Sequence, residues 1–506
     1  MNFIKRKTKY SNLFILMLAA FFMLAFFIKG NQGKPLAYQI QKDTNVGGPF
    51  ESSNSTSRYA LTEAIVEHHT FFLTKEEARF ASPDLVYHNG KFLSIFMPGI
   101  SFIGTPFYLL GNKFGLPQLF TYFSVTLFAF IDIFLIARIV YKLGGNLYAS
   151  FLAGFLFLFG TNALSYSLFY TQHATSVMFL LLCFLTAMDE RTVVKNVLFG
   201  IFAGISLLLD IPNVILLVPL GLYIVSKHFT ANTEDTKIQF SFNTKIIAIL
   251  FGLLPFLCVT AWYNFQTTGS YTKLGQSIGR TDYQRINEKT KSTPKHVASS
   301  QVLPFLPRNQ IGGIYTLVLS DERSWLFYSP IVLLGIFGIR SLYKEKKKTG
   351  LTNVIVGTIL INILLYSMFD DPWGGWAFGP RYLIPGAAML CIGLGIAIQK
   401  YKRNIWFVIL FAVTAVYSLT INTIGALTTS AIPPKVEAIH FIQPIPYTYL
   451  YNINLLKENR MSSLIYNVVF SHLQGWIYSL TLAAILLLIT LCLYYLALVT
   501  KEDTTK

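Results

Sequence analysis

Long stretches of apolar residues, separated by shorter polar segments, recur along the whole of this 506-residue chain. A helix needs about 20 apolar residues to cross the hydrocarbon core of a bilayer. Twelve stretches approach this length, and the two short ones in the middle are best explained as a tight hairpin that turns at residues 210–213. The pattern predicts an all-α polytopic membrane protein with about 12 transmembrane helices. The candidate spans lie near residues 11–29, 118–140, 148–164, 173–188, 195–210, 212–226, 245–265, 324–342, 351–369, 382–399, 404–424 and 475–499.

The first apolar run follows the basic start Lys5-Arg6-Lys7, as in a signal peptide. No small-residue cleavage site follows at residues 29–32. We therefore expect this run to be a retained first transmembrane helix.

Composition excludes a soluble fold and a nucleic-acid partner. Only 13% of the residues are charged and 53% are hydrophobic, whereas soluble globular proteins carry about 25% charged residues. The net charge of +17 would suggest nucleic acid only if the basic residues formed a patch. They flank apolar spans instead, where basic residues set topology.

The alternation of basic and non-basic connectors predicts the orientation. If the N-terminus is inside, the outer turns at 165–172, 211–213 and 370–380 contain no basic residue, and Arg381 stands at their border. Cytoplasmic loops carry the excess of lysine and arginine. We predict a multi-pass protein of the plasma membrane with both termini cytoplasmic. The inner segments then hold Arg138, Lys142, Arg191, Lys195, Lys227, Lys237, Lys344, Lys346, Lys347, Lys348, Lys400, Lys402, Arg403 and Lys501.

One further apolar segment, at residues 93–111, contains Pro98 and Pro106. Counting it as a span would invert every later loop, so we assign it to the membrane surface or to a re-entrant piece covered by protein or water. The chain is then a single membrane domain, 1–506. Its large polar segments, 30–117, 266–323 and 425–474, all fall on the outer face, where we expect the chemistry.

The first outer loop, 30–117, contains two recognisable local signals. Residues 57–69 have helical spacing, with Ala60 and Ala64 on one face and Glu63 on another, as in an amphipathic helix lying in the interface. Farther on, Asn89-Gly90 is a strong hairpin-turn signal.

These motifs, in this order, resemble the GT-C superfamily of polyprenyl-phosphate-sugar-dependent glycosyltransferases, which includes protein O-mannosyltransferases and lipid A aminoarabinose transferases. The resemblance rests on Arg58-Tyr59-Ala60, the Asn-Gly turn and Pro98-Gly99. Further similarity lies in the second outer turn, at 160–173, and in the string from Asp371 to Tyr382, DPWGGWAFGPRY. It covers most of the chain in layout, but in identities only about 55–111 and 370–385.

Two departures from that family pattern affect the chemistry. An acidic pair with the catalytic aspartate is expected just before the Arg-Tyr-Ala string, where this chain has Ser55 and Thr56. A lysine expected before Pro98 is also missing, and its neighbourhood, 95–97, is Ile-Phe-Met. Another carboxylate is then needed to take the acceptor's proton.

Asp84 and Glu63 are the catalytic candidates of the first outer loop, and we favour Asp84. It follows Pro83 and borders the apolar 93–111 segment, which would exclude water. The alternative for Asp84 is an ordinary turn aspartate. For Glu63 the alternative is a solvated charge on a helix face.

Arg58 and Arg381 are the candidate phosphate ligands, because guanidinium groups bind phosphate oxygens bidentately. Arg381 is alternatively an interface anchor. The other substrate-binding candidates are polar or aromatic residues of the outer segments, whose alternative is an aromatic interface belt or a lone interface histidine. They are His88, Tyr170, His173, Asp370, Asp371, Trp373 and Trp376.

The resemblance implies an inverting glycosyltransferase that moves a sugar from a polyprenyl-phosphate carrier to a glycan, lipid or protein acceptor. It requires no cofactor, although a divalent cation could bind at Asp370 and Asp371. Two alternatives stay open. One is a transporter or flippase for a lipid-linked sugar, which would usually show internal repeats. The other is a non-catalytic relative that binds the carrier lipid, consistent with Ser55.

Overall fold

The structure of the chain is a computed structural model that describes residues 2–30, 47–189, 192–234, 237–281, 283 and 305–500. It is predominantly helical, with two small antiparallel hairpins. The helices are α1 (Asn2–Ala25), α2 (Ser53–Glu67), α3 (Lys75–Ala81), α4 (Gly99–Asn112), α5 (Pro117–Lys142), α6 (Leu147–Phe159), α7 (Ala163–Ser167), α8 (Gln172–Met188), α9 (Val193–Leu209), α10 (Pro212–Leu216), α11 (Val218–His228), α12 (Ala248–Thr268), α13 (Gly275–Ile278), α14 (Gln310–Val318), α15 (Trp325–Tyr328), α16 (Gly335–Tyr343), α17 (Thr349–Ser367), α18 (Ile384–Tyr401), α19 (Ile405–Leu427), α20 (Lys435–Ala438), α21 (Leu450–Lys457) and α22 (Gly475–Val499). The strands are β1 (Leu85–His88), β2 (Lys91–Ser94), β3 (Phe229–Glu234) and β4 (Lys237–Phe242).

Within the described residues, six helical segments are long and apolar enough to cross a membrane, and five further apolar helices are shorter. The chain is therefore an integral membrane protein, and the predicted number of 12 spans is not confirmed. The six long segments are Pro117–Lys142, Thr244–Thr268, Lys346–Ser367, Arg381–Tyr401, Ile405–Leu427 and Gly475–Val499. The shorter ones are Ser11–Ala25, Leu147–Phe159, Gln172–Met188, Val193–Leu209 and Pro330–Tyr343.

The predicted span 324–342 is interrupted. α15 ends at Tyr328, Ser329 leaves the helical conformation, and a 3₁₀ turn at Pro330–Leu334 leads into α16. Proline has no N–H to continue the helical ladder and fits the first turn of a new helix. The helix breaks at the position predicted for the hairpin turn, because α9 ends at Leu209 and α10 begins at Pro212.

α18 forms the centre of the bundle and packs against α5, α6, α8, α16 and α17. Small residues let α16 approach it closely. A Cβ on Gly335 would lie 2.0 Å from the carbonyl oxygen of Leu390, and one on Gly338 would lie 1.8 Å from that of Gly393. Such contacts are the usual means of helix packing in membranes, where lipid is as apolar as the side chains.

The connectors predicted to be cytoplasmic meet at one end of the bundle. Asp189 forms ion pairs with Lys142 and with Lys195, the latter at 2.7 Å. Lys348 donates to the carbonyl of Leu143 at 2.7 Å. The antiparallel pair β3–β4 extends the loop between α11 and α12 at this end, where the sequence predicted only short connectors.

The segments predicted to be outside meet at the opposite end, called the outer end below. Glu51 accepts hydrogen bonds from the backbone N–H of Gly47, at 2.7 Å, and from the backbone N–H and hydroxyl of Ser430, both at 2.8 Å. This carboxylate joins the first outer loop, 30–117, to the third outer loop, 425–474. The second outer loop is the predicted outer segment 266–323. The two-ended grouping agrees with the predicted topology, although the membrane orientation itself stays a prediction.

Within the first outer loop, α2 is buried on nearly all sides from Ser55 to Thr62, whereas the sequence suggested one apolar face. After α2 come α3, the hairpin β1–β2 with its turn at Asn89-Gly90, and α4. The segment expected to be re-entrant, 93–111, thus consists of the end of β2 and most of α4, with Pro106 inside the helix. At 14 residues, α4 is shorter than the roughly 20 residues of a crossing.

Candidate functional site

Arg58 lies at the bottom of the outer end, on α2, and is only 1% exposed. Its guanidinium stacks 3.8 Å from the ring centre of Phe96, and its Nη1 donates to the side chain and the carbonyl of Asn54. Its Nε–H has no hydrogen-bond partner among the described residues. Burial lowers the pKa of Arg58 to about 10, against the opposing charges of Asp210 and Asp84. The guanidinium is therefore a buried cation with an open donor.

Arg381 contributes a second guanidinium near Arg58, and its positive charge lowers the pKa of Arg58 slightly. Its guanidinium lies 5.2 Å from the ring centre of Tyr382, which stacks on Tyr366 at 4.6 Å. The Nε–H of Arg381 also lacks a partner in the described part of the chain. The topology predicted both arginines on the outer side, and the structure brings them together.

Asp84 follows α3 and precedes β1, where it is 5% exposed. Its Oδ2 accepts a hydrogen bond from the hydroxyl of Ser53 at 2.6 Å, and its backbone carbonyl accepts one from Ser57 at 2.6 Å. Its Oδ1 lies 2.8 Å from Nη2 of Arg280. Asp84 is therefore held against the first turns of α2, within electrostatic range of Arg58.

The second outer loop covers Asp84 and supplies Arg280, which the sequence analysis missed. Thr281 N–H donates to the carbonyl of Leu85 at 2.8 Å, and Tyr87 N–H donates to the Thr281 hydroxyl at 3.1 Å. The Arg280 side chain remains 57% exposed. No local sequence signal distinguishes this arginine, because its role depends on the docking of one loop on another.

Two further aspartates complete the charged cluster. Asp210, at the end of α9, accepts a hydrogen bond from Gln172 at 2.9 Å and acts electrostatically on Arg58. Burial raises the pKa of Asp371, while the charges of Arg381 and Arg280 oppose the shift. The outer cluster, defined by Arg58, Arg280, Arg381, Asp84, Asp210 and Asp371, thus contains three cations and three carboxyl groups.

His173 borders this cluster, whereas Tyr170 is used in packing. His173 is 8% exposed, its ring lies 5.3 Å from that of Tyr166, and both Arg58 and Arg381 act on it. The Tyr170 hydroxyl donates to the carbonyl of Ile100 at 2.6 Å and lies 3.0 Å from the hydroxyl of Thr62. The phenol of Tyr170 therefore fastens α2 and α4 to the second outer turn.

The other predicted site residues lie apart from the outer cluster. Glu63 is half-buried on α2 and acts electrostatically on Tyr59 and Tyr108. His88 is half-buried at the tip of the β1–β2 hairpin, four residues beyond Asp84.

Only part of the acidic and aromatic string after α17 faces the cluster. Asp370 is exposed, in contrast to Asp371. The indole of Trp376 is 43% exposed and donates to Glu437 in the third outer loop at 2.7 Å. Trp373 is half-buried, and its carbonyl accepts a hydrogen bond from Arg323 at 3.2 Å.

Ser55, at the position of the expected acid, is fully buried and faces the Tyr122 side chain. Tyr59 packs against Tyr122 with ring centres 6.0 Å apart. This position is therefore lined by aromatic rings rather than by the outer cluster. Throughout the described ranges, no group of three or more His, Cys, Asp or Glu side chains has the arrangement of a metal site.

Solved structures similar to this chain are membrane glycosyltransferases. ArnT from Cupriavidus metallidurans, bound to undecaprenyl phosphate, aligns over 96% of this chain and 77% of its own, with a TM-score of 0.49 and 11% identity. In the apo state the TM-score is 0.47 and the identity 12%. The oligosaccharyltransferase AglB from Archaeoglobus fulgidus, in complex with an inhibitory peptide and a dolichol-phosphate, aligns over 87% of this chain, with a TM-score of 0.46 and 13% identity. The chain covers 60% of AglB, less than two thirds of its length.

Both ArnT and AglB are GT-C proteins, the group that the motifs of this chain resemble. No sequence-family profile matches the chain, and no curated protein sequence does so.

Proposed function

We propose that this protein is a membrane glycosyltransferase that transfers a sugar from a polyprenyl-phosphate carrier to a glycan, lipid or protein acceptor at the outer face of the plasma membrane. The observation that carries the proposal is the pair of arginines in the outer cluster. Arg58 is almost fully buried, Arg381 lies within its electrostatic range, and the Nε–H of each lacks a partner in the described part of the chain. Two neighbouring guanidinium groups, each with an N–H that lacks a partner in the described part of the chain, fit a phosphate. A phosphate accepts charge-assisted hydrogen bonds at several oxygens.

The same cluster offers a proton acceptor. As the acceptor's hydroxyl oxygen bonds to the anomeric carbon, its proton passes to the Asp84 carboxylate, and the bond between that carbon and the carrier phosphate breaks. The leaving polyprenyl phosphate keeps the electron pair, and its negative charge is stabilised by Arg58 and Arg381. His173 and Asp371 line the sugar side of the site in this proposal. Asp370, Trp373 and Trp376 lie farther out, where they contact the acceptor.

Asp84 is not free in the structure, because Arg280 and Ser53 occupy its two carboxylate oxygens. Arg280 is more than half exposed, whereas the Asp84 carboxylate is buried, so the guanidinium is free to move into solvent while the carboxylate still needs a partner. In this proposal an acceptor hydroxyl takes the place of the guanidinium at Oδ1. Glu63 is a helix-face carboxylate in this proposal.

Carrier binding tests the proposal. The purified protein in nanodiscs is titrated with polyprenyl phosphate that carries no sugar. Arg381→Ala and Arg58→Ala should each weaken binding by about 1.5–3 kcal/mol, the range for hydrogen bonds to charged groups. Arg403→Ala, an exposed cation on the predicted inner side, is the matched control and should leave the affinity unchanged. Unchanged affinity in both cluster variants would refute the phosphate site.

A transporter of the lipid-linked sugar would also bind the carrier phosphate, and so would a non-catalytic relative. The buried Asp84 carboxylate near Arg58 favours transfer. A protein that only binds the carrier phosphate gains nothing from a negative charge at that place. A flippase would move the sugar to the other leaflet while leaving it on its carrier, and a binding protein would leave it in place.

A further inference from the structure

Arg323 lies outside the proposed catalytic chemistry, yet it is among the largest fully buried side chains, with 0% exposure. It stands between α14 and α15, at the base of the second outer loop. The sequence around it, Ser-Asp-Glu-Arg-Ser-Trp, gave no indication of this burial. A buried arginine is costly unless its charge and its donors are satisfied.

Each N–H of Arg323 donates to a backbone carbonyl. Nε donates to Trp373 at 3.2 Å, Nη1 to Glu322 at 2.8 Å and to Tyr447 at 3.1 Å, and Nη2 to Ile432 at 2.9 Å and to Pro433 at 3.2 Å. A guanidinium carries five N–H donors in a rigid fork, so every donor is used. The acceptors come from the second outer loop, the turn after α17 and the third outer loop. Arg323 therefore ties three outer segments together at one point.

The Trp373 carbonyl connects the hydrogen bonds of Arg323 to the proposed phosphate site. The next residue, Gly374, has φ +78°, and a Cβ built on it would lie 3.0 Å from Nε of Arg381. The backbone after Trp373 is thus a wall against the Arg381 guanidinium. The other end of the turn is held by the same carbonyl that Arg323 contacts. The Ala377 N–H donates at 3.0 Å to the Ile432 carbonyl, which also accepts a hydrogen bond from Arg323.

We infer that Arg323 is a positioning residue for Arg381: it fixes the Trp373–Ala377 turn that holds the Arg381 guanidinium in the outer cluster. The inference rests on the proposed function in giving Arg381 a carrier phosphate to bind. Arg323 itself contacts neither the carrier nor the sugar. Removing its fork leaves buried carbonyls unpaired and lets the turn shift, so Arg381 loses its alignment while keeping its charge.

Arg323→Lys is the informative variant, because it keeps the charge but has three donors on one nitrogen in place of a five-donor fork. It should weaken polyprenyl phosphate binding about tenfold, a coupling of ordinary size for neighbouring residues. Gly374→Ala should have a similar effect with Arg323 intact, because it crowds Arg381 directly. The matched control is Asn452→Ala. Asn452 is also fully buried and donates to the Thr428 hydroxyl at 2.8 Å and to the Thr429 carbonyl at 2.7 Å, neither of which belongs to the Trp373–Ala377 turn.

A double-mutant cycle separates positioning from a general loss of stability. In an Arg381→Ala background, Arg323→Lys should weaken carrier binding no further, whereas a general loss of stability would add to the effect of Arg381→Ala. Amide hydrogen exchange of residues 371–383, measured without ligand, should become faster in Arg323→Lys than in Asn452→Ala.

The outcomes distinguish this inference from the proposed function. If the wild type binds no polyprenyl phosphate but the exchange result holds, the proposed function fails and the positioning of the turn stands. If the wild type binds carrier through Arg381 while Arg323→Lys matches Asn452→Ala in affinity and exchange, the inference is overturned.

Discussion

Oδ1 of Asp84 and Nη2 of Arg280 lie 2.8 Å apart, and this ion pair closes the second outer loop over the first. A buried carboxylate is thus paired with a cation that is more than half exposed. The pair raises a specific question, which is whether Asp84 matters as a proton acceptor or only as the partner of Arg280.

The two variants Asp84→Asn and Arg280→Ala answer that question together. General-base catalysis contributes about 10²–10⁴-fold, so Asp84→Asn should lower sugar transfer by that factor while the protein still inserts and folds. Arg280→Ala removes the same ion pair but leaves the carboxylate, and should retain most of the transfer activity. Glu63→Gln, the second acid of the first outer loop, should cost far less than Asp84→Asn. Equal losses for Asp84→Asn and Arg280→Ala would mean that the ion pair matters and the base does not.

Asp371 should compete with the carrier phosphate for Arg381. Burial raises the pKa of Asp371, and the positive charge of Arg381 opposes this rise. A phosphate bound beside Arg381 would neutralise part of that positive charge, so carrier binding should raise the pKa of Asp371 further. Asp371 should then take up a proton when the carrier binds. The Asp371 carboxylate competes with the phosphate most strongly at a pH where Asp371 is ionised in the protein without carrier. Asp371→Asn should therefore bind sugar-free polyprenyl phosphate more tightly, by about tenfold for a one-unit pKa change. The advantage should vanish as the pH falls below the pKa of Asp371.

The measurement is the ratio of the carrier affinity of Asp371→Asn to that of the wild type, taken across a pH series. The ionisation of the phosphate affects both affinities equally, so it does not change this ratio. Asp370→Asn, at the exposed neighbouring position, should give a ratio near one throughout. A ratio for Asp371→Asn that stays constant with pH would contradict the competition.

Ser55→Asp, which restores the acid expected from the family pattern, should not improve the protein. The side chain at 55 is fully buried beside Tyr59 and Tyr122, and an unpaired ion taken out of water costs on the order of several kcal/mol. We expect a lower thermal unfolding midpoint and no gain in transfer, whereas Ser55→Ala should be nearly neutral. Higher transfer in Ser55→Asp would show that the base belongs at this position and not at Asp84.

The topology is tested with single cysteines. A background with Cys258 and Cys492 replaced removes the two native cysteines that are not fully buried. In intact cells, a membrane-impermeant reagent should label His88→Cys, and it should label Lys346→Cys only after permeabilisation. Labelling of position 346 from outside would invert the predicted orientation.

The sequence predicts well those features that depend on local composition. Twelve apolar stretches and alternating basic connectors indicate a membrane protein, and the inner and outer groups of connectors do meet at opposite ends. The interruption at Ser329-Pro330 is harder to foresee, because both sides of it are apolar and only the proline marks the break. The β3–β4 hairpin is not predicted from the sequence either, since its strands lie in a connector that has no strong turn signal.

The site is predictable only in part, for a physical reason. The sequence predicts Arg58 and Arg381 as phosphate ligands because both border outer segments, and a shared side of the membrane restricts where they meet. The ion pair of Arg280 and the hydrogen bonds of Arg323 to five carbonyls arise from the docking of loops that are distant in sequence. The spacing of residues along the chain therefore does not predict them. Tyr170 is a predicted site residue whose role differs in the structure. Its place in a motif does not reveal that its hydroxyl donates to the Ile100 carbonyl within the protein.

The most direct test of the proposed function is sugar transfer in proteoliposomes that contain only the purified protein, a polyprenyl-phosphate donor carrying a labelled sugar, and candidate acceptors. We predict that label leaves the carrier and becomes covalently attached to an acceptor, and that Arg381→Ala and Asp84→Asn abolish most of this product. Label that crosses to the other leaflet while remaining on its carrier would contradict this prediction in favour of a flippase. Label that stays on the carrier in its original leaflet with every donor and acceptor tried would contradict it in favour of a binding protein.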